Sequence, residues 1–312
     1  MRSILPPRTF FETAVDREFL KKDADSAHLV LGVAYKVGET DTVLFANFAY
    51  LYLAPPVEFF ELPANAGAPQ SAFPAGVSFT PTRAEKDVQY DVGVRLAARG
   101  FRIRASQWFK RQNRFLDHAQ LSQLNGTGEL INPNIFLPVN LEHARTYGVE
   151  ARVDAPAYRG LRAFANYSLN YAQAIGGRVG GFLDGEPPAA HYFFLDHDQR
   201  HAVWSGATYD WERVGAFVTA LYSFGSGFPD ASSELLAPYF AGVARCATRD
   251  CRLPAHSTFS FSAGKKVWRG LATRLEVENA LNDVYPINLG SEFNGSHFSA
   301  PRLVTLRINY SF

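Results

Sequence analysis

Long stretches of this chain alternate apolar and polar residues with a period of two. In the segment LRAFANYSLNY, Tyr167 and Leu169 share one parity, whereas Asn166 and Ser168 share the other. Successive side chains of a β-strand point to opposite faces, so this strand has one apolar and one polar face. About eleven such strands are predicted along the chain. They span residues 27–36, 42–52, 88–98, 101–116, 141–154, 160–174, 199–209, 213–224, 256–266, 271–280 and 302–312.

The predicted strands are long. Strands in globular sheets average about five or six residues, whereas a strand that crosses a bilayer needs roughly nine to eleven. No stretch of the sequence approaches the run of about 18 apolar residues that a transmembrane helix requires. Strand length therefore favours a sheet that crosses a membrane.

The connections between these strands alternate between short and long. Short turns are predicted near residues 37–41, 99–100, 155–159, 210–212 and 267–270. Long links are predicted near residues 53–87, 117–140, 175–198, 225–255 and 281–301. Membrane barrels have short periplasmic turns and long outer loops, whereas links of this length are unusual in compact soluble domains. The sequence predicts an all-β fold, an antiparallel up-and-down portion of a transmembrane β-barrel.

Composition excludes some classes of protein. Apolar residues make up 47% of the chain and charged residues 20%, so it is not a disordered sequence. The net charge of +1 gives no reason to expect a nucleic-acid partner. Aromatic residues reach 14%, which suits a membrane interface, although core packing explains the same excess.

Four segments, in order, resemble the C-terminal half of the barrel of TonB-dependent outer-membrane receptors. They read VQYDVGVRLAARGFRIRASQWFKRQNRFL, FLDHDQRHAVWSGATYDW, ENALNDVYPINLG and GSHFSAPRLVTLRINYSF. The third carries the family's Asn-x-Leu/Phe-Asp/Asn-x-x-Tyr pattern in Asn279, Leu281, Asn282, Asp283 and Tyr285. Each motif alone is degenerate, but the ordered set is specific.

The resemblance implies a function in transport. Members of the family take up scarce ligands, such as siderophore–iron complexes, vitamins or glycans, across the bacterial outer membrane. Energy comes from the inner membrane through TonB, so the barrel needs neither a catalytic residue nor a cofactor. The expected partners are therefore outer-membrane lipid, TonB, the barrel-assembly machinery and a small-molecule ligand.

The sequence departs from the family's full pattern. The start, MRSILPPRTFFETAVDREFLKK, shows no apolar core of a secretory signal, and no plug domain is recognisable. Large transporter barrels have 22 strands, about twice the number predicted here. We therefore expect a fragment, with residues 27–312 forming barrel and residues 1–26 an extracellular loop.

The segment HYFFLDHDQRH concentrates imidazole and carboxylate groups at the foot of a predicted outer loop. Its candidate ligand-binding residues are His191, Asp196, His197, Asp198 and His201. Such groups are competent ligands for zinc or iron, but their spacing matches no defined metal site. The alternative is a polar loop foot in which Arg200 pairs with a carboxylate.

Two further features belong to the predicted barrel. Cys246 and Cys251 lie in a predicted outer loop, where an oxidising environment favours a local disulfide over a thiolate metal site. The last strand alternates, and its apolar set should face lipid and act, by resemblance, as the signal for barrel assembly. That set is Val304, Leu306, Ile308, Tyr310 and Phe312.

Two other classes of protein stay open at this stage. A self-contained outer-membrane enzyme of lipase or protease type would need a further strand and a Ser/His or Asp/His pair near the rim. A soluble β-sandwich binding protein would pack the Tyr and Leu faces internally. In the predicted barrel, a further set of charged residues faces inward and could contact a plug or an anionic substrate; the alternative is that they only form a solvated lumen wall. These charges are Arg102, Arg104, Arg162, Arg274, Glu276 and Glu278.

Overall fold

The computed structural model describes residues 28–55, 78–80, 82–124, 130–183, 188–229, 252–291 and 295–311. The strands are β1 Leu29–Lys36, β2 Thr42–Leu53, β3 Ser78–Thr80, β4 Glu85–Ala98, β5 Phe101–Leu124, β6 Leu130–Asp154, β7 Leu161–Leu183, β8 Ala189–Phe194, β9 His201–Trp211, β10 Ala216–Gly225, β11 His256–Trp268, β12 Leu271–Glu278, β13 Pro286–Ser291, β14 Gly295–Phe298 and β15 Leu303–Tyr310. A short 3-10 helix spans Glu212–Val214. Within these ranges no helix has the length and apolarity required to cross a bilayer.

Eleven strands form one antiparallel path, in the order β1-β2-β4-β5-β6-β7-β9-β10-β11-β12-β15. β3 and β8 lie off this path, and each pairs with β7. β13 and β14 form a separate two-stranded sheet. The path confirms the predicted all-β, up-and-down architecture and its eleven strands. Because these strands form one continuous sheet instead of two stacked sheets, they argue against a soluble β-sandwich.

The turn between β4 and β5 shows why the short connections can be so tight. Ala98 and Phe101 are cross-strand partners, so only Arg99 and Gly100 lie between them. Their φ angles are 51° and 84°. Positive φ at both central residues defines a type I′ turn, whose twist matches that of the flanking strands. The predicted short turn at residues 99–100 is confirmed.

The pairing register keeps the two parities of the sequence on separate faces. On β7 and β9, Tyr167 lies opposite Val203, and Asn166 lies opposite Trp204. We call the face that carries Tyr167 the outer face and the face that carries Asn166 the inner face. Arg162 is also on the inner face, where its Nη2 atom lies 2.7 Å from Asp210 Oδ2. This ion pair thus lies on the same face as Asn166 and on the opposite face from Tyr167.

Five aromatic residues form a continuous line across the outer face from β2 to β7. They are direct cross-strand partners in the order Phe48, Tyr90, Phe109, Tyr147 and Tyr171. Ring centroids are 5.3 Å apart for Phe48 and Tyr90 and 4.8 Å apart for Tyr147 and Tyr171. We call these five residues the aromatic row. A row of aromatic rings that crosses several strands at one level is typical of the girdles that mark a membrane interface.

The inner face repeats one packing arrangement three times. A Phe ring on one strand covers the glycine that is its direct cross-strand partner, and an arginine guanidinium lies over each ring. The pairs are Phe45–Gly93, Phe164–Gly206 and Phe217–Gly264. The arginines are Arg95 and Arg104 over Phe45, Arg152 over Phe164, and Arg274 over Phe217. Glycine lacks a Cβ atom, so the ring can lie flat on the wall and carry a cation above it.

Two of the predicted long links are wrong in their extent. β5 continues to Leu124 and β6 begins at Leu130, so most of residues 117–140 are strand. β7 continues to Leu183, and β8 occupies part of the predicted link 175–198. Beyond a bilayer both faces of a hairpin meet water. Hydrophobic alternation therefore stops marking the strand, although its backbone hydrogen bonds continue.

The last strand, β15, pairs with β12 along its whole length. Its apolar residues are exposed on the outer face, as in Leu306 at 64% and Ile308 at 63%. Arg307 has the opposite parity, and its Nε atom lies 3.0 Å from Glu276 Oε2. The predicted role of this strand in barrel assembly stays a prediction, and Phe312 lies outside the described residues. The predicted N-terminal segment 1–26 lies outside them as well.

Candidate functional site

The predicted loop foot is built around one buried carboxylate, Asp198. Its side chain is fully buried, and Oδ2 accepts a hydrogen bond of 2.5 Å from the backbone N–H of Ala172. Oδ1 lies 3.4 Å from Arg200 Nη2 and also accepts a bond from Arg252 Nη2. The pairing of Arg200 with a carboxylate, expected for a polar loop foot, is confirmed.

Aromatic rings complete the surroundings of these two arginines. The Arg200 guanidinium lies 3.6 Å from the ring centroid of Tyr171, and that of Arg252 lies 5.2 Å from the ring centroid of Phe194. Stacked arginine is more weakly hydrated than lysine and tolerates burial better. These contacts connect the residues just before β9 to β7 and to the segment just before β11. They are made by the side chains of Asp198, Arg200 and Arg252 together with the two rings. We call these three charged residues the charge clamp.

The structure separates the other predicted ligand-binding residues. His191 is exposed on β8, and His201 lies on the outer face, where its Nδ1 atom is 2.9 Å from the Tyr167 hydroxyl. Asp196 and His197 form their own pair, with 2.6 Å between Oδ1 and Nδ1. The described residues contain no group of three His, Cys, Asp or Glu side chains placed to hold a metal ion. Ligand binding by these residues stays a prediction, and Cys246 and Cys251 lie outside the described part.

The Asp196–His197 pair has an electrostatic consequence. Its hydrogen bond to the Asp196 carboxylate raises the pKa of the His197 imidazole, and partial burial opposes this rise. The His197 side chain is 82% exposed. Water screens such a pair, so its contribution to stability is small.

A second polar cluster lies where the chain enters β4. Glu85 and Asp87 are almost fully buried, and Lys110 Nζ lies 2.7 Å from Asp87 Oδ2 and 3.6 Å from Glu85 Oε1. Glu85 also accepts hydrogen bonds from Gln112 Nε2 and from the backbone N–H of Leu116, at 2.9 and 2.8 Å. This cluster fixes the end of the predicted link 53–87 onto the inner wall.

The inner wall also contains a groove of about 590 Å³. At the end of the groove near the start of β11, His256 stacks on Tyr285, with ring centroids 3.6 Å apart and ring planes within 7°. Gln199 Nε2 lies 3.3 Å from His256 Nε2. Trp204 and Arg104 also line the groove. Arg152 and the carboxylate of Glu150 line it as well, so the groove offers flat rings, two guanidinium groups and one carboxylate.

The motif around Asn279 positions Tyr285 in this groove. Asn279 is buried and has a φ of 47°, a left-handed conformation that asparagine tolerates better than most residues. Its amide Nδ2 donates to the carbonyl oxygens of Asp283 and Ala300, each at 3.0 Å. Its Oδ1 accepts from the Asp283 N–H at 3.1 Å. The Asn-x-Leu-Asn-x-x-Tyr pattern thus encodes a turn that delivers Tyr285 to the wall.

Burial acts directly on Tyr285. Partial burial raises the pKa of the Tyr285 phenol, and the nearby Asp283 carboxylate raises it further. The ring therefore stays neutral over the physiological pH range and offers a hydroxyl as donor or acceptor.

The fold and its two faces define a class of protein. A wall of long antiparallel strands with an apolar, aromatic-bearing outer face and a charged inner face is part of a transmembrane β-barrel. The chain belongs to the TonB-dependent receptor family, since the family model described as TonB dependent receptor-like, beta-barrel, matches residues 20–280. Receptors of this family are bacterial outer-membrane proteins. Among curated proteins, no sequence match is found.

Solved structures show the same fold at low sequence identity. The copper transporter OprC matches with a TM-score of 0.60 and 14% identity, over 91% of this chain and 39% of OprC. FyuA, the ferric yersiniabactin uptake receptor from Yersinia pestis, matches with a TM-score of 0.57 and 14% identity, over 91% and 37%. Fiu, the ferric-catecholate import receptor from E. coli K12, gives 0.56 and 15%, over 91% and 34%. The chain thus spans less than two fifths of the length of these receptors.

Proposed function

We propose that the chain forms part of the wall and ligand-facing surface of a receptor for TonB-dependent uptake of a scarce ligand. Siderophore–iron complexes, vitamins and glycans are the candidate ligands. Family membership supports a receptor, and the inner groove supports a surface that contacts ligand. The parts of a receptor that contact TonB are not among the described strands, so coupling to TonB is inferred from the family alone.

The groove is the observation that carries this proposal. Trp204, Tyr285 and His256 provide flat rings, and Arg104 provides a cation that forms no ion pair with a described carboxylate. Rings stack on aromatic ligand groups, and guanidinium binds carboxylate, phenolate or phosphate oxygens in a bidentate manner. Among the candidate ligands, this lining favours an anionic chelate that bears aromatic rings.

An outer-membrane enzyme has weaker support. Gln199 and Tyr285 contact the groove's histidine, His256, and neither is a nucleophile activated by it. The family is one of transport receptors, so we propose that the wall binds and conducts ligand without bond chemistry. Its last strand, β15, is the segment we propose for recognition by the barrel-assembly machinery, because it is the apolar-faced terminal strand of the path.

The test uses the full chain in neutral detergent micelles and the fluorescence of Trp204. A ferric tris-catecholate chelate should quench this fluorescence saturably, whereas Trp204→Phe should abolish that component and Trp211→Phe, on β9 away from the groove, should retain it. Arg104→Gln should weaken binding about ten-fold, because a charge-assisted hydrogen bond is lost. A ferric hydroxamate, a cobalamin and a maltooligosaccharide are compared with the catecholate. Absence of saturable, Trp204-dependent quenching by all four probes would refute the proposal.

A further inference from the structure

Directly beyond the aromatic row, the outer face carries two arginines side by side. Arg111 follows Phe109 by two residues on β5, and Arg145 precedes Tyr147 by two residues on β6. Arg111 and Arg145 are direct cross-strand partners. Directly opposed side chains have Cβ atoms about 5 Å apart, and like charges at that distance destabilise a sheet. An anion bound between Arg111 and Arg145 would therefore relieve their mutual repulsion.

No carboxylate compensates this pair within the part of the chain that the structure describes. Arg111 is exposed, and neither arginine takes part in an ion pair with a described residue. Lys86 extends the same cationic surface, since it is the partner of Asn113, two residues beyond Arg111 on β5. We call Lys86, Arg111 and Arg145 the outer basic patch.

Arg145 is held in place by neutral groups. Its Nε and Nη2 atoms donate to Gln173 Oε1 at 3.0 and 2.8 Å. Its guanidinium stacks 3.6 Å from the ring centroid of Tyr192 and 5.5 Å from that of Tyr147. These contacts fix the orientation of the guanidinium without neutralising its charge. A positioned, uncompensated guanidinium is a preorganised site for an anion.

The height of the patch identifies the kind of anion. Two residues of a strand span roughly 6.6 Å, and a strand tilt of roughly 40° places the arginines about 5 Å above the aromatic row. Aromatic girdles lie at the boundary between hydrocarbon and head groups. The patch thus lies at the level of lipid head groups, on the side of the wall that faces lipid.

We propose that the outer basic patch binds the phosphate groups of an outer-leaflet glycolipid. Phosphate oxygens accept bidentate hydrogen bonds from guanidinium, and one phosphate can bridge Arg111 and Arg145 and so remove their mutual repulsion. The site requires that the outer face contacts lipid, but it does not depend on the imported ligand. Its success or failure is therefore distinguishable from that of the proposed uptake function.

The experiment measures glycolipid retention by the full chain in neutral detergent, using native mass spectrometry. The probes are diphosphoryl lipid A and the same glycolipid with its phosphates removed. The wild-type chain should retain the diphosphoryl form and release the dephosphorylated one. Arg111→Gln with Arg145→Gln should weaken retention roughly ten-fold, because each basic residue near an anionic surface contributes on the order of one tenfold step or less.

The inner face supplies a matched control. Arg274 and Arg307 are also direct cross-strand partners, on β12 and β15 and outside the groove, so Arg274→Gln with Arg307→Gln removes the same charge from the other side of the wall. Retention should be unchanged in this variant. Equal retention of the two glycolipids, or equal losses in the inner and outer variants, would overturn the proposal. Arg111→Lys with Arg145→Lys keeps the charge but removes the bidentate hydrogen bonding of guanidinium. This variant should show an intermediate loss of glycolipid retention and an unchanged circular dichroism spectrum.

Discussion

Two pairs of arginines lie on the same three strands but on opposite faces of the wall. Arg95 and Arg104 face each other on the inner side, and both guanidiniums lie over the ring of Phe45, at 5.1 and 5.4 Å. Arg111 and Arg145 face each other on the outer side, just beyond the aromatic row. All four residues are arginines, and they differ only in the face of the sheet on which they lie and in their position along the strand.

The comparison shows that the surrounding medium decides what an unpaired charge costs. A polar lumen hydrates the inner pair, so repulsion between its guanidiniums is screened. We propose that the outer pair meets lipid head groups, where an anionic oxygen is the available partner. Away from the rim, the outer face carries apolar residues such as Leu169 and Val218, while the inner face carries ion pairs such as Arg162–Asp210.

The largest effect is expected in the charge clamp, because its carboxylate is fully buried and has no access to water. Asp198→Asn should destabilise the folded wall by about 3 kcal/mol, because it removes the fully buried counter-ion of Arg200 and Arg252, whose side chains are each only 19% exposed. The measurement is urea unfolding of the chain in detergent micelles. Asp154→Asn is the control, since its partner Arg152 is exposed, and its cost should stay below about 1 kcal/mol. Equal costs for the two variants would contradict this account of the clamp.

A new charge placed on each face in turn tests directly whether the two faces meet different media. Ala165→Arg introduces a cation on the outer face of β7 and should cost about 2–4 kcal/mol in a lipid bilayer, because lipid cannot hydrate it. Ser168→Arg introduces it on the inner face, opposite Glu150, and should cost less than about 1 kcal/mol. Unfolding in lipid vesicles measures both values. Similar costs would mean that the two faces meet the same medium.

The smallest effect concerns His197, an exposed charge outside the strands. Its folded-state pKa is raised by Asp196, so the stabilisation is fully present below the unfolded pKa and is lost as pH rises through the folded value. Because the group is exposed, we expect less than about 0.5 kcal/mol. Unfolding free energies of the wild type and His197→Gln should differ at pH 5 and agree at pH 9. A difference that grows with pH would reverse the sign and refute the assignment.

The strands of the wall were predicted well because apolar and polar residues alternate wherever the two faces of a strand meet different media. Strand order, face assignment and the turn at Arg99–Gly100 all follow from period-two patterning and turn chemistry. The extensions of β5, β6 and β7 were missed because a strand that continues beyond a bilayer is not required to alternate apolar and polar residues. Backbone pairing continues regardless of side-chain polarity.

The candidate site was less predictable because its contacts join distant segments. The sequence around Asp198 indicated a paired carboxylate, but Arg252 lies 54 residues away and no local pattern links the two. The stack of His256 on Tyr285 likewise depends on the turn that Asn279 organises. That motif was recognised as a resemblance, whereas its hydrogen bonds required the structure. The positions of Arg111 and Arg145 were readable from parity, but their opposition required the register.

The central claim is that the outer face of the wall contacts lipid and the inner face contacts water. Spin labels placed one at a time at residues 162–169 of β7, in a chain with Cys246 and Cys251 replaced by serine, test it in lipid vesicles. Collision with oxygen, which partitions into lipid, should peak at Ala163, Ala165, Tyr167 and Leu169. Collision with a water-soluble nickel chelate should peak at the residues between them. Absence of this two-residue period, or the inverse pattern, would contradict the account.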